Sequence, residues 1–107
     1  MGGSEAIYSV GVWIVRPGNE SAFIAAWKDF AAWTSMQGGS AYGRLLQDLE
    51  DPGRFFSFGP WEDLEGLRAW RQRPEFRKSL GRFLELCDEV APGTFRLVAE
   101  IPAGGTG

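Results

Sequence analysis

Apolar positions along this 107-residue chain switch between a two-residue and a three-to-four-residue period, and the switches mark its elements. Ala6 to Val15 is rich in β-branched and aromatic residues and predicts a strand, ended by the turn chemistry of Arg16-Pro17-Gly18. Phe23, Ala26, Trp27, Phe30 and Trp33 then recur at helical spacing, predicting an amphipathic helix capped by Asn19 and stopped by Gly38-Gly39. Ala41 to Glu50 and Arg54 to Pro60 predict two strands of a hairpin. Between them lies Asp51-Pro52-Gly53, where proline presets one dihedral and glycine admits positive φ. A second helical region starts near Glu62, uses Leu64, Leu67 and Trp70, and breaks around Pro74. It resumes with Phe76, Leu80, Phe83, Leu84 and Cys87 and ends before Pro92-Gly93, leaving Thr94 to Ile101 as the last strand.

The order βαββαβ predicts an α+β fold of the split βαβ kind: a four-stranded antiparallel sheet in spatial order 4-1-3-2, with the helices on one face. The length fits one domain, from residue 6 to 101. Residues 1–5 and 102–107 are small and polar and are expected to be flexible tails.

The first and third strands lie side by side in this sheet, and their faces differ. One face carries Tyr8, Val10, Val12, Ile14, Phe56 and Phe58. The helices cannot cover both faces, and an exposed apolar face exceeds what monomers usually leave in water, which predicts a homodimer through this second sheet face. The other face alternates small and large: Ser9, Gly11, Ser57 and Gly59 among Trp13, Phe55 and Trp61. Small residues leave room for an aromatic-walled cavity suited to a small apolar or aromatic molecule. The pattern is equally compatible with helix side chains such as Trp27 or Trp70 filling that space.

Charge and composition narrow the chemistry. Eleven basic against fourteen acidic residues give a net charge of −3, which argues against a nucleic-acid partner or an anionic membrane surface. With no histidine, neither a Ser-His-Asp triad nor a His-ligated metal or haem can be assembled. The single cysteine, Cys87, cannot form an intramolecular disulfide or a multi-cysteine metal site. No apolar run approaches the ~18 residues of a membrane helix, and the first residues lack an export signal's pattern; a cytoplasmic protein is expected.

Several segments occur in an order and spacing that resemble the antibiotic biosynthesis monooxygenase superfamily. They are Arg16-Pro17-Gly18-Asn19-Glu20-Ser21-Ala22-Phe23, Leu45-Leu46-Gln47-Asp48-Leu49-Glu50-Asp51-Pro52-Gly53-Arg54-Phe55, Phe58-Gly59-Pro60-Trp61-Glu62-Asp63, and Trp70-Arg71 with Pro74-Glu75-Phe76. The resemblance covers about Tyr8 to Glu100. It implies a ferredoxin-like protomer and a dimeric α/β barrel. Members with known activity oxidise phenolic or anthrone-type polyketide intermediates with O2, using neither metal nor flavin, or degrade haem. For this chain the resemblance implies Trp61 as the active-site tryptophan and places Ser57 where quinone-forming members carry an asparagine. The arginine those members use further along falls near Gly81. The haem-degrading branch's asparagine and histidine fall on Gly11 and Arg71, which leaves no axial ligand for a haem iron.

The expected function is therefore oxidation of a small aromatic or polyketide-type substrate by a monooxygenase with no cofactor. The alternative is a dimer of the same fold that binds a hydrophobic molecule without chemistry, and a closed scaffold is a third reading. Trp61 and Ser57 are the candidate catalytic pair, with Trp13, Gly11, Phe55, Gly59, Arg71 and Tyr42 around the substrate. Tyr42 is a candidate for proton transfer, although its ordinary pKa of ~10 makes it a poor base. Arg68, Arg71, Arg73, Arg77, Lys78 and Arg82 read as a solvated helical face from which Arg71 is singled out for an anionic ligand. Asp63 reads as a helix cap and Cys87 as a core thiol.

Overall fold

The computed structural model describes residues 6–37 and 43–102. Its elements are β1 (Ile7–Val15), α1 (Glu20–Thr34), β2 (Arg44–Gln47), β3 (Arg54–Trp61), α2 (Leu64–Gln72), α3 (Pro74–Leu86) and β4 (Cys87–Arg96). The strands form one antiparallel sheet in the order β2-β3-β1-β4, the α+β ferredoxin-like arrangement predicted. The predicted start of the second strand at Ala41 and the Gly38-Gly39 helix stop lie outside the described residues.

Local chemistry accounts for the boundaries. Gly18 takes the turn after β1 at φ 94°, where a side chain would be strained. Asp63 caps α2, its carboxylate accepting from the Gly66 N–H at 2.7 Å. Pro74 occupies the first turn of α3, where its missing N–H costs nothing, so the break divides the second helical region into two helices. Between β2 and β3, the Asp48 carboxylate accepts from the Glu50 N–H at 2.8 Å, and Arg54 N donates to Asp51 O at 2.8 Å. Gly53 does not use positive φ as predicted; a Cβ there would stand 3.0 Å from the Val15 carbonyl, so close approach of the hairpin to β1 is what requires glycine.

The last strand departs from the reading of the sequence. Phe83, Leu84 and Cys87 continue a helical spacing, yet the chain enters β4 directly at Cys87 and leaves it at Arg96, so of the predicted run Thr94 to Ile101 only Thr94 to Arg96 belong to the strand. Pro92 and Gly93, read as breakers, lie inside β4. This strand pairs only with β1, and a proline on an edge strand removes no hydrogen bond from a second neighbour.

The helices cover the sheet face that carries Trp13, Val15, Phe55, Ser57 and Trp61, all buried. Two apolar clusters form there. Trp13, Val15, Phe23, Phe55, Phe83 and Cys87 make one, and Trp61, Leu67 and Trp70 the other, with Phe30 of α1 packed against both. The opposite face has no covering layer: Leu46, Phe56 and Phe95 are 49%, 40% and 57% exposed. Cross-strand register sets them beside Val12 and Tyr8 in an apolar surface that reaches all four strands.

Candidate active site

β1 and β3 carry the same pattern on the helix-covered face, Ser9-x-Gly11-x-Trp13 and Ser57-x-Gly59-x-Trp61. Their register sets Gly11 opposite Ser57 and Ser9 opposite Gly59. The Trp13 indole folds back along its strand over Gly11; a Cβ at Gly11 would stand 2.8 to 2.9 Å from three indole atoms. Only glycine leaves that path open, and it carries Trp13 Nε1 to Ser57 Oγ at 2.9 Å. Trp61 makes the reciprocal bond, Nε1 donating to Ser9 Oγ at 3.1 Å. Two indoles are thus bonded to two hydroxyls across a local two-fold axis of the strand pair. The repeat is visible in the sequence once the register is known; alternation of small and large residues was its only earlier signal.

The hydroxyls differ in what they do next. Ser9 makes a long donation to the Gly59 carbonyl at 3.5 Å. The buried Ser57 hydroxyl accepts from Trp13 and has no acceptor for its own proton among the described residues. Both hydroxyls accept an indole N–H and are polarised toward donating, but the Ser9 proton is already directed at Gly59, so Ser57 is the better donor of the two.

Above these strands lies a cavity of about 130 Å³. Its floor is Ser9, Gly11, Ser57 and Gly59, with Trp13 and Trp61; Trp27 and Phe30 of α1, Trp70 of α2, and Phe76, Leu80 and Phe83 of α3 close over it. The helix side chains therefore wall the space and do not fill it. The cavity lies between the two apolar clusters. Trp61 and Trp70 have ring centroids 4.8 Å apart, and Trp70 Nε1 donates to Thr34 Oγ1 at 3.0 Å, which fixes the wall.

Of the residues singled out from sequence, Trp61, Ser57, Trp13, Gly11, Gly59 and Arg71 line this cavity. Phe55 does not. It faces the same side but packs in the core, 5.0 Å from the Phe23 ring, because it is the cross-strand partner of Trp13 at the far end of the pair. Tyr42 lies outside the described residues. Helical spacing gives Phe30, Phe76 and Phe83 only as core and offers Trp70 as a side chain that could fill the space; the topology makes all four cavity wall.

Arg71 is the only ionisable side chain lining the cavity among the described residues. Its guanidinium reaches from α2 to the edge strand, donating through Nη2 to the Gly93 carbonyl at 2.8 Å and through Nη1 to the Thr94 hydroxyl. Nε is buried without a partner, and no carboxylate among the described residues pairs with the group. Burial lowers the Arg71 pKa, the cost of holding a charge away from water. The other five basic residues of the run are exposed, as expected of a solvated face. No three His, Cys, Asp or Glu side chains among the described residues converge as a metal site would require.

The model of the antibiotic biosynthesis monooxygenase family matches residues 6–82. Among solved structures, the chain is similar to SnoaB, a cofactor-independent oxygenase from Streptomyces nogalater, with a TM-score of 0.85 at 19% identity over 94% of this chain and 100% of that one. It is also similar to a conserved protein from Methanosarcina mazei Go1, with a TM-score of 0.79 at 22% identity over 86% and 92% of the two chains. A protein from Shewanella oneidensis gives a TM-score of 0.80 at 17% identity over 89% and 93%. At these identities the likeness is one of fold. No curated protein matches the chain in sequence.

Proposed function

The chain belongs to the antibiotic biosynthesis monooxygenase family, and from that premise we propose that it is a homodimeric oxygenase acting on a small aromatic or polyketide-type molecule without a cofactor. The observation that carries the reading is the aromatic cavity with the Ser57 hydroxyl proton unspent at its floor.

In the proposed reaction an activated carbon of a phenolic or anthrone-type substrate and O2 become C=O and water, two hydrogens leaving the substrate and the substrate supplying all four electrons. The ionised substrate passes one electron to O2, the radical pair joins at carbon, and the protonated peroxide loses water to leave the carbonyl. The protein's part is to orient the substrate, exclude water and hold charge on its oxygen. Ser57 donates to that oxygen, with Trp13 polarising the donor from behind. Trp61 offers the face of its ring, since its N–H is already given to Ser9. Gly59 leaves room for the ring plane, Gly11 gives the Trp13 indole its path to Ser57, and Tyr42 is kept as a candidate for proton transfer.

O2 consumption with a panel of hydroxylated anthrones and quinols tests this reading. Ser57→Ala should lower kcat by about 10²-fold, the cost of losing one oxyanion donor. Turnover indifferent to both Ser57→Ala and Trp61→Phe would place the chemistry elsewhere.

One observation favours the alternative of a binding dimer without chemistry: no base lines the cavity among the described residues. Calorimetric binding of the same compounds with no O2 uptake would establish it. The free Cys87, and the absence among the described residues of a helix able to cross a membrane, support a cytoplasmic setting.

A further inference from the structure

The volume of the cavity, the guanidinium in its wall without a carboxylate partner among the described residues, and the lack of a base among the described lining residues converge on one class of ligand. We infer that the site takes a single-ring aromatic anion, its ring between the indoles, one ring oxygen on the Ser57 hydroxyl and its negative substituent held by Arg71. The inference rests on the reading of this cavity as an aromatic-ligand site and narrows it.

Volume sets the ring count. A dry apolar cavity of ~150 Å³ accommodates benzene. The space here is about 130 Å³ and its lining is mostly apolar, so it holds one ring, whereas three fused rings exceed it.

Placement sets the substituents. Ser57 on β3, Gly11 on β1 and Pro92 on β4 are successive cross-strand partners. Strands lie about 4.8 Å apart, so this row spans about 10 Å. Ser57 stands at one end, and at the other Arg71 is anchored on Gly93 and Thr94. A hydroxylated ring bearing a carboxylate bridges such a pair with one polar group at each end.

Charge sets the ionisation state. Among the described residues Arg71 is bonded only to neutral oxygens, with Nε buried and unpartnered. A half-buried charge without a counter-ion carries part of the desolvation cost uncompensated, and an anion entering the cavity supplies the counter-ion. With no carboxylate or other base in the lining among the described residues, a ligand whose carboxylate is already ionised binds without giving up a proton to the protein.

The test is calorimetric titration with three probes: 2,5-dihydroxybenzoate, the near-isosteric neutral 2,5-dihydroxybenzyl alcohol, and the three-ring 1,8-dihydroxyanthrone. The benzoate should bind at least tenfold more tightly than the alcohol, and the anthrone should not bind. Arg71→Gln should bring the benzoate-to-alcohol ratio near one, and Arg71→Lys should restore part of it. The alcohol comparison needs no variant, so it decides the matter even if Arg71→Gln fails to fold. Equal binding of alcohol and benzoate, tight binding of the anthrone, binding of none of the three, or a ratio unmoved by Arg71→Gln each overturns the inference. An oxygen electrode separates the two readings. Benzoate bound without O2 uptake removes the oxygenase and keeps the ligand class, whereas anthrone oxidised with benzoate unbound does the reverse.

Discussion

Trp13 donates its indole proton to Ser57 at 2.9 Å, and the path between them runs over Gly11, the backbone partner of that serine. The bond ties the core to the cavity: the ring of Trp13 packs 4.9 Å from Phe83 and 5.4 Å from Phe23, while its N–H sets the Ser57 hydroxyl, whose own proton has no acceptor among the described residues. A change at a residue with no side chain should therefore be felt in both places.

Gly11→Ala puts a Cβ 2.8 Å from the indole and forces the ring away from Ser57. The expected outcome is a loss of about 1–3 kcal/mol in urea unfolding, the range for overpacked cores. The shift of the Trp13 indole proton in NMR should change as its hydrogen bond is lost. Gly81→Ala is the contrast: it lies in α3 with nothing within 4 Å of a new Cβ, so it should stabilise by about 0.5–1 kcal/mol through helix propensity.

How far the sequence carries depends on whether a feature is local. The two faces of β1 and β3 are legible because side chains alternate and their apolar sets differ, and α1 because five aromatic or aliphatic positions keep one stripe. Cys87 misleads because helix and strand adjoin there with no turn residue between them. Pro92 misleads because an edge strand tolerates what a central strand does not. That Trp61 shares the face of Ser57 and Gly59 is legible from the alternation of β3, but which indole and which hydroxyl are spent depends on register, and register is a property of two strands together.

The Asp48 carboxylate should make the hairpin acid-sensitive. Its pKa is lowered chiefly by the Glu50 N–H, with the Asp51 N–H and Arg54 adding to the effect. A lowered folded pKa means stability that is present above the ordinary value of 3.8 and is lost as pH falls through the lowered one. Urea midpoints between pH 6 and pH 2 should fall less steeply in Asp48→Asn than in the wild type. Parallel curves would show that the turn does not depend on this charge.

Cys87 should behave in the opposite sense. It is 3% exposed, and burial raises its thiol pKa, with Asp88 adding to the rise and Arg16 opposing it. The contribution is present below the ordinary value of 9.0 and is lost as pH rises through the raised one, so Cys87→Ala should reduce the loss of stability above pH 9. At pH 8 the folded protein should resist iodoacetamide and become alkylated once urea unfolds it; rapid alkylation of the folded chain would contradict a buried thiol.

The uncovered sheet face makes the last prediction, that two chains associate through it. Tyr8 and Phe58 have ring centroids 6.5 Å apart and Phe56 and Phe58 6.0 Å apart, so this face is an ordered aromatic surface. Leu46 opposite Phe56 and Phe95 opposite Tyr8 extend it to both edge strands. Monomers rarely expose apolar patches beyond about 300–600 Å², and each Å² removed from water contributes about 25 cal/mol. Sedimentation at micromolar concentration should therefore give twice the 11.8 kDa chain mass. Phe56→Glu sets a carboxylate in the middle of the patch, where burial against a second apolar sheet leaves it without a partner. Since Phe56 is already 40% exposed in one chain, this variant should fold as a monomer with its circular dichroism intact. A wild-type chain that sediments at single mass, or a Phe56→Glu variant that still sediments at double mass, would move the interface off this face.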